Sequence, residues 1–347
     1  MKVRELGEFG LIEMLTRIVD DSGVGCQSSP ELIIGIGDDA AAWQGEDSIQ
    51  LGTTDILVQN MHFTLETTTW HDLGWKALAA NISDIAAMGG IPTYAMISLG
   101  LPSDAEVERV SELYGGMAEI AHQFNLAIVG GDITESPLLI ISPSVIGRVE
   151  KDRMLTRSGA VPGDRIAVSG YLGTSAAGLK MLKEKLKFNP EIASVFREAH
   201  RRPYPRITEG QILAEHGVKA AIDISDGLIA DLAHICEASK VEARVHLPNI
   251  PIHPAVKAAF GEEALRLALS GGEDYELLFT APVGARCDVP LPTTSMTIIG
   301  EIVEGKPGKV TLLDENGKEI EWEKGGWEHF SRGTVHRAPT GNYIDVV

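Results

Sequence analysis

Basic residues are scarce in this chain. Lys and Arg number 30 against 49 Asp and Glu, a net charge of −19. A nucleic-acid backbone needs a basic face, so the charge argues against nucleic acid as the main partner. A small phosphorylated ligand is not, because bound metal ions reverse the local sign. Cysteine is nearly absent. Cys26, Cys236 and Cys287 are odd in number and show no C-x-x-C spacing. That argues against a disulfide framework and for a reducing cytoplasm. No stretch of about 18 apolar residues occurs, so no membrane-spanning helix is expected. The charged segment Met1 to Phe9 lacks the apolar run of a signal peptide. Also missing are the P-loop G-x-x-x-x-G-K-S/T, the protein-kinase signatures, a G-x-S-x-G elbow and a His/Cys cluster suited to zinc. Phosphoryl transfer here would rest on carboxylate-held metal rather than on a lysine cradle.

What the chain does have is acid at turns. Six segments set Asp or Glu beside glycine and small polar residues: Gly35-Ile36-Gly37-Asp38-Asp39, Thr53-Thr54-Asp55, Asn81-Ile82-Ser83-Asp84, Gly130-Gly131-Asp132, Asp223-Ile224-Ser225-Asp226-Gly227 and Ser270-Gly271-Gly272-Glu273-Asp274. Carboxylates and hydroxyls are hard oxygen donors that suit Mg²⁺, and Mg²⁺ suits polyphosphates. The segments are far apart in sequence, so folding must gather them.

The length of 347 residues fits two domains, and 44% hydrophobic content fits full cores. The expected fold class is mixed α/β, with residues 1–150 and 151–330 as two units and 331–347 as a loose tail. Helices are expected over Leu11 to Val19, Trp70 to Ala87 and Ala105 to Phe124, the last capped by Ser103 or Asp104. Leu78, Ile82 and Ile85 form one stripe of the second helix, with Asn81 and Asp84 on another face. Strands are expected over Glu31 to Ile36, Ser48 to Thr53, Tyr94 to Leu99, Leu126 to Val129 (stopped by Gly130-Gly131-Asp132) and Leu138 to Val149. In the second unit, strands are expected over Arg165 to Ser169, Ala220 to Ile224, Leu277 to Thr280 and Met296 to Glu301. Helices there cover Ser175 to Lys187 and Ile207 to His216. A further helix starts at a Ser225 or Asp226 cap and carries Leu228, Leu232 and Ile235 on one face.

Each acidic segment has a plainer reading, as a turn or cap or, for Asp84, as an exposed helix residue. Gly35-Ile36-Gly37-Asp38-Asp39-Ala40 superficially matches the dinucleotide fingerprint, but two aspartates would repel a pyrophosphate and Gly45 breaks the helix that should follow. Taken together, the plain readings leave unexplained why strand ends in both halves carry carboxylates without matching Lys or Arg.

These segments, with Gly7-Glu8-Phe9, Met61-His62-Phe63, Lys76 to Gly89, Leu155 to Ala160 and the run Gly272-Glu273-Asp274-Tyr275-Glu276-Leu277, resemble thiamine-monophosphate kinase from about Gly7 to Phe330. Single motifs are shared with aminoimidazole-ribonucleotide synthetase, selenophosphate synthetase and a hydrogenase-maturation protein. The Gly-Glu-Asp-Tyr-Glu-Leu run and the Met-His-Phe element are similar to the kinase branch. The resemblance implies two α/β domains of the aminoimidazole-ribonucleotide-synthetase type. The first would bind ATP and Mg²⁺ and pair with a second copy to form a homodimer. It implies transfer of phosphate from ATP to thiamine monophosphate, which forms thiamine diphosphate. Asp39, Thr53, Thr54, Asp55, Asp84, Asp132, Asp223 and Asp226 would hold several Mg²⁺ ions. Gly131, Asp132, Arg157, Ser225 and Tyr114 would contact ATP, and His62, Glu273 and Trp327 the thiamine moiety.

Alternatives stand beside three of these. His62 could be a core histidine bonded to backbone, Arg157 a surface ion-pair residue, and Trp327 a partly buried surface aromatic. Val58-Gln59-Asn60-Met61-His62 departs from the family's more usual Val-Glu-Gly-Val-His, which removes an acid beside His62. The competing function is another ATP-dependent synthetase or phosphotransferase of the same fold. A selenophosphate synthetase would want an activated Cys near the N-terminus, and Cys26 lacks a flanking Lys. The hydrogenase-maturation relative carries a C-terminal Cys where this chain reads Asp345-Val346-Val347.

Overall fold

The computed structural model describes residues 32–34, 38–282 and 294–322. The expected helix at Leu11 to Val19, the tail 331–347, Trp327, Cys26 and Cys287 lie outside the described residues.

The first half forms a seven-stranded mixed sheet. Its strands are β1 (Leu32–Ile34), β2 (Ala41–Gln44), β3 (Ile49–Thr54), β4 (Leu57–Val58), β5 (Ile91–Leu101), β6 (Ala127–Glu135) and β7 (Ile140–Val149), in the order β1-β2-β3-β7-β5-β6 with β4 also on β7. Only β5 and β6 among these pair in parallel. Helices α1 (Trp70–Ala87) and α2 (Val107–Gln123) accompany this sheet. The second half forms another seven-stranded sheet from β8 (Arg165–Ser169), β9 (Ala220–Asp223), β10 (Glu242–His246), β11 (Leu277–Ala281), β12 (Met296–Val303), β13 (Val310–Leu313) and β14 (Glu319–Ile320), in the order β14-β13-β10-β12-β8-β11-β9. Its helices are α3 (Thr174–Lys183), α4 (Pro190–Arg201), α5 (Ile207–Glu215), α6 (Leu228–Ser239), α7 (Pro254–Phe260) and α8 (Glu263–Ser270). The mixed α/β class expected from the sequence is the one observed.

Helix α1 positions the site. Thr69 caps it by accepting the Asp72 N–H at 3.0 Å. The 3.6-residue stripe does bury Leu78, Ile82 and Ile85, but Asn81 and Ser83 are buried as fully. α1 touches α2 and β7 of its own half and also α5 and β9 of the other, so from Leu73 to Ala87 every residue but Asp84 is buried. Its many alanines suit that, and two glycines permit the close crossing with α2. A Cβ on Gly74 would collide with the Leu113 carbonyl, and one on Gly116 with the His71 carbonyl.

Three local expectations are corrected. Gly130-Gly131-Asp132 does not stop a strand, because β6 runs through it to Glu135. A Cβ on Gly131 would strike the Ile97 carbonyl, and the β5–β6 register shifts at Ala95/Met96. Gly131 marks a close backbone approach within the strand, whereas a Cβ on Gly130 would meet open space. Helix α2 starts at Val107 after Glu106, without a side-chain cap from Ser103 or Asp104. Helix α6 is capped neither by Ser225 nor by Asp226. Gly227 (φ 122°) is its N-cap, and the Asp231 carboxylate reaches back to accept the N–H groups of Asp226 and Gly227 at 3.2 and 2.9 Å. The expected apolar face of α6, Leu228, Leu232 and Ile235, is buried.

Candidate active site

Three carboxylates from distant parts of the chain converge. Asp39 precedes β2, Asp84 lies on α1 and Asp223 ends β9, and one oxygen of each lies within 4.8 Å of the others. Each has a fixed neighbour. The Thr53 hydroxyl, near the end of β3, donates to Asp84 Oδ2 at 2.7 Å. Ser83 donates to Asp223 Oδ2 at 2.6 Å, and Arg157 Nη2 to Asp39 Oδ1 at 3.0 Å. The Asp38 carboxylate accepts the Arg157 backbone N–H and that of Asp39. Asp39 Oδ2 is buried and has no partner.

Electrostatically the cluster is overfilled. Burial, reinforced by Asp39 and Asp55, pushes Asp223 up to about 8. Burial and the charges of Asp55, Asp223 and Asp39 push Asp84 well above the usual carboxylate range. Burial raises Asp55, and burial with Asp39 raises Asp38 to about 6. Such carboxylates are held in readiness for a cation. The donor set is carboxylate and hydroxyl oxygen, with no sulfur or imidazole in the cluster, and one buried oxygen is orphaned. These residues fit Mg²⁺.

The other expected ligands are distributed around this centre. Asp55 is anchored by its backbone to β7: its N–H reaches the Pro143 carbonyl at 3.3 Å and its carbonyl accepts Ser142 Oγ at 2.8 Å. Its charge is felt by both Asp84 and Asp223. Thr54 faces the opposite way from Thr53, as strand alternation requires. Its hydroxyl donates to the Pro143 carbonyl and accepts from Ser144. Asp132 is exposed on β6 and belongs to the row Ser142–Ser98–Asp132 across the sheet. The structure thus gathers Asp39, Thr53, Asp55, Asp84 and Asp223, and leaves Thr54 and Asp132 on the sheet's open face. Asp226 and Ser225 follow Asp223, and the charge of Asp226 helps raise the buried Asp231 well above its usual range, second to burial itself. Tyr114, on α2, lines a cavity of about 350 Å³ with Leu101, Pro102, Ala105, Val107 and Val110. It opens at the end of β5, three residues beyond Ser98.

Glu273 lies in the loop between α8 and β11. Glu273 and Tyr275 adopt left-handed backbone (φ 65° and 51°), and their N–H groups bond the carbonyls of Ser225 and Ile224 at 2.8 and 2.9 Å. The Glu273 carboxylate receives Lys76 Nζ of α1 at 2.7 Å and faces His200 Nδ1 of α4 at 3.5 Å. Burial pushes Glu273 up, but the Lys76 ammonium above all overrides it and holds the carboxyl below its usual range. Burial, then Lys76, push His200 down to about 3, so this imidazole is neutral. His62 Nδ1 accepts the Val58 N–H at 3.0 Å, so the backbone-bonded reading of His62 and its nearness to Glu273 both hold.

The neighbouring acids turn elsewhere. Asp274 accepts the N–H groups of Gly173 and Ser175 at the start of α3, and Glu276 binds Arg206 and Ser169. Arg157 on Asp39 and Lys76 on Glu273 correct the expectation that the strand-end carboxylates lack matching cations. Sequence reasoning missed Lys76, His200, Ser83 and Asp231. The signal for two of them was a lysine and a serine seven residues apart in an otherwise small and apolar helix, which puts both on one stripe.

Residues 37–149 match the AIR synthase related protein N-terminal domain, and residues 161–312 match the C-terminal domain. The thiamine-monophosphate kinase of Aquifex aeolicus (strain VF5) is 37% identical over 335 residues, covering 95% of this chain and 100% of the relative. That of Bacillus subtilis (strain 168) is 36% identical, covering 94% and 100%. A solved structure, AaThiL complexed with AMPPCP and TMP, superposes with a TM-score of 0.82 at 35% identity, covering 95% of this chain and 99% of that one.

Proposed function

The chain belongs to the thiamine-monophosphate kinase family of AIR synthase related proteins, and from that premise we propose how its residues transfer the terminal phosphoryl group of ATP to thiamine monophosphate, giving thiamine diphosphate and ADP. The observation that carries the reading is the convergence of Asp39, Asp84 and Asp223 from both halves, with a buried orphan oxygen on Asp39. Asp39, Asp55, Asp84 and Asp223, with Thr53, hold Mg²⁺, and Thr54, Asp132 and Asp226 extend the set. Mg²⁺ bound there neutralises the charge of facing phosphates.

The acceptor is a phosphate oxygen, already ionised at neutral pH, so no side chain acts as general base. That suits a site rich in acids and poor in free imidazoles. Arg157 offers a guanidinium to the polyphosphate, and its pairing with Asp39 fixes its direction. Gly131, Asp132 and Ser225 contact the ATP, and the cavity beside Tyr114 takes the adenine. Glu273 offsets the thiazolium charge, His62 flanks it and Trp327 stacks on it.

The first half, to about residue 150, carries the dimer face and most of the metal ligands, and Asp223, Asp226, Arg157 and Ser225 of the second half complete the metal and nucleotide site. Exposed Tyr94, Met96, Val129 and Ile133 on β5 and β6 support pairing with a second copy. The enzyme acts in the cytoplasm and needs no nucleic acid. Among the described residues no helix is long and apolar enough to cross a membrane.

The test is ADP release with ATP and Mg²⁺, with thiamine diphosphate quantified alongside. Thiamine monophosphate, free thiamine and formylglycinamidine ribonucleotide are compared as acceptors. Equal ADP and thiamine diphosphate, with the monophosphate alone, is the expected result. Turnover only with another acceptor would overturn the substrate and favour a different synthetase of this fold.

A further inference from the structure

Lys76 is a cation in an unusual place, 7% exposed on a helix buried from Leu73 to Ala87 at every residue but Asp84. Its ammonium meets Glu273 Oε1 at 2.7 Å, while His200 Nδ1 faces Oε2 at 3.5 Å. One oxygen of the carboxylate is therefore held by an ammonium from α1 of the first half, and the other faces a neutral imidazole from α4 of the second. His200 is itself steadied by Ser175 Oγ at 3.2 Å. The carboxylate still keeps 32% of its side-chain surface open, enough to meet a ligand on its free side. Its backbone is left-handed, and Gly272 beside it could not carry a Cβ without striking the Ser225 carbonyl. Strain of this kind persists where surroundings hold a functional group in place.

We propose that Lys76 is a positioning residue for substrate binding. Its buried ammonium fixes the Glu273 carboxylate toward the cationic ring of thiamine monophosphate, so that the first half sets the thiamine site of the second. The inference rests on the reading of Glu273 as a thiamine contact. Lys76 cannot itself meet the substrate's cation with profit, since like charges repel. Its effect passes through Glu273.

The experiment uses the full chain in the wild-type form and as Lys76→Met, Lys76→Arg, Glu273→Gln and the double Lys76→Met/Glu273→Gln variant. The readouts are kcat, KM for thiamine monophosphate, KM for ATP and the melting temperature. Lys76→Met is expected to raise KM for thiamine monophosphate about tenfold, the scale of one charged hydrogen bond, with kcat and KM for ATP within about twofold. Lys76→Arg keeps the charge and should recover most of the loss. The double variant should bind no worse than Glu273→Gln, because the lysine has no further role once the carboxylate is gone. If Lys76→Met fails to fold, Lys76→Gln, which retains a donor, serves with an intermediate KM expected.

A KM for thiamine monophosphate that rises with Glu273→Gln but not with Lys76→Met overturns the positioning role and leaves the Glu273 reading intact. Parallel losses in kcat and both KM values reduce Lys76 to a structural pin. An unchanged KM in Glu273→Gln overturns the reading on which the proposal rests.

Discussion

Asp223 offers the sharpest test of the metal reading, through stability rather than turnover. Its carboxyl is pushed from 3.8 up to about 8, chiefly by burial. The folded chain therefore keeps a proton that the unfolded chain releases. Where the native state binds more protons, stability falls as pH rises. The loss begins above the unfolded value of 3.8 and levels off above about 8. At about 1.4 kcal/mol per pH unit, Asp223 alone costs about 3 kcal/mol between pH 5 and pH 7.

Asp223→Asn removes this term while keeping an acceptor for the Ser83 hydroxyl. Both proteins would be melted and titrated with denaturant in the presence of a chelator, at pH 5 and pH 7. The wild type should lose about 3 kcal/mol more than the variant, on the order of several degrees in Tm. Neighbouring acids share the titration, so the difference between the two proteins is the reading, not either slope. Added Mg²⁺ should restore wild-type stability more at pH 7 than at pH 5 and do little for the variant. Parallel pH courses with and without Asp223 would refute the argument that this acid waits for a cation.

Three more outcomes follow from the same geometry. Asp132→Asn should lower kcat on the order of a hundredfold at ordinary Mg²⁺, on the scale of other transition-state charge contacts, with an unchanged melting curve because Asp132 is exposed; steady-state kinetics decide this, and near-normal turnover would remove it from the metal set. Arg206→Met should destabilise the fold by about 3–5 kcal/mol, because Glu276, 6% exposed, would keep only the Ser169 hydroxyl. Denaturant unfolding measures that loss, and KM for ATP should not move. Gly272→Ala should raise KM for thiamine monophosphate by displacing the loop from the Ser225 carbonyl, and kinetics with both substrates would show whether ATP binding is spared.

Local rules located much of this architecture. The 3.6-residue stripe bounded α1 at Trp70–Ala87, and β8 has the ends its apolar run implied. Elements whose pattern is weaker went unread, among them β2, β10, β13 and the Pro190–Arg201 helix with its Asn189 cap. At Gly130-Gly131 the pair was read as punctuation, when the cause at Gly131 was lateral: the Ile97 carbonyl of the neighbouring strand leaves no room for a Cβ there. The same limit shaped the site. Asp39 and Asp223 were visible as acids at strand-end turns and Asp84 as an acid on a helix face, each a property of its segment alone. Lys76 and His200 are defined by what they meet in the other half, at separations that periodicity does not carry. A buried lysine in a small-residue helix is detectable as an oddity, but its partner is a matter of tertiary structure.

The burial of α1 has a consequence for how the site moves. Lys76, Ser83 and Asp84 ride on a helix whose amide exchange can proceed only when the two halves part or the whole molecule unfolds. Its amides should be among the slowest to exchange with deuterium, and the metal ligands inherit that rigidity. Glu273 is tied to the same helix through Lys76, so the thiamine side shares its reference frame with the metal ligands. The enzyme is thus built around one common hearth, to which both substrates are brought.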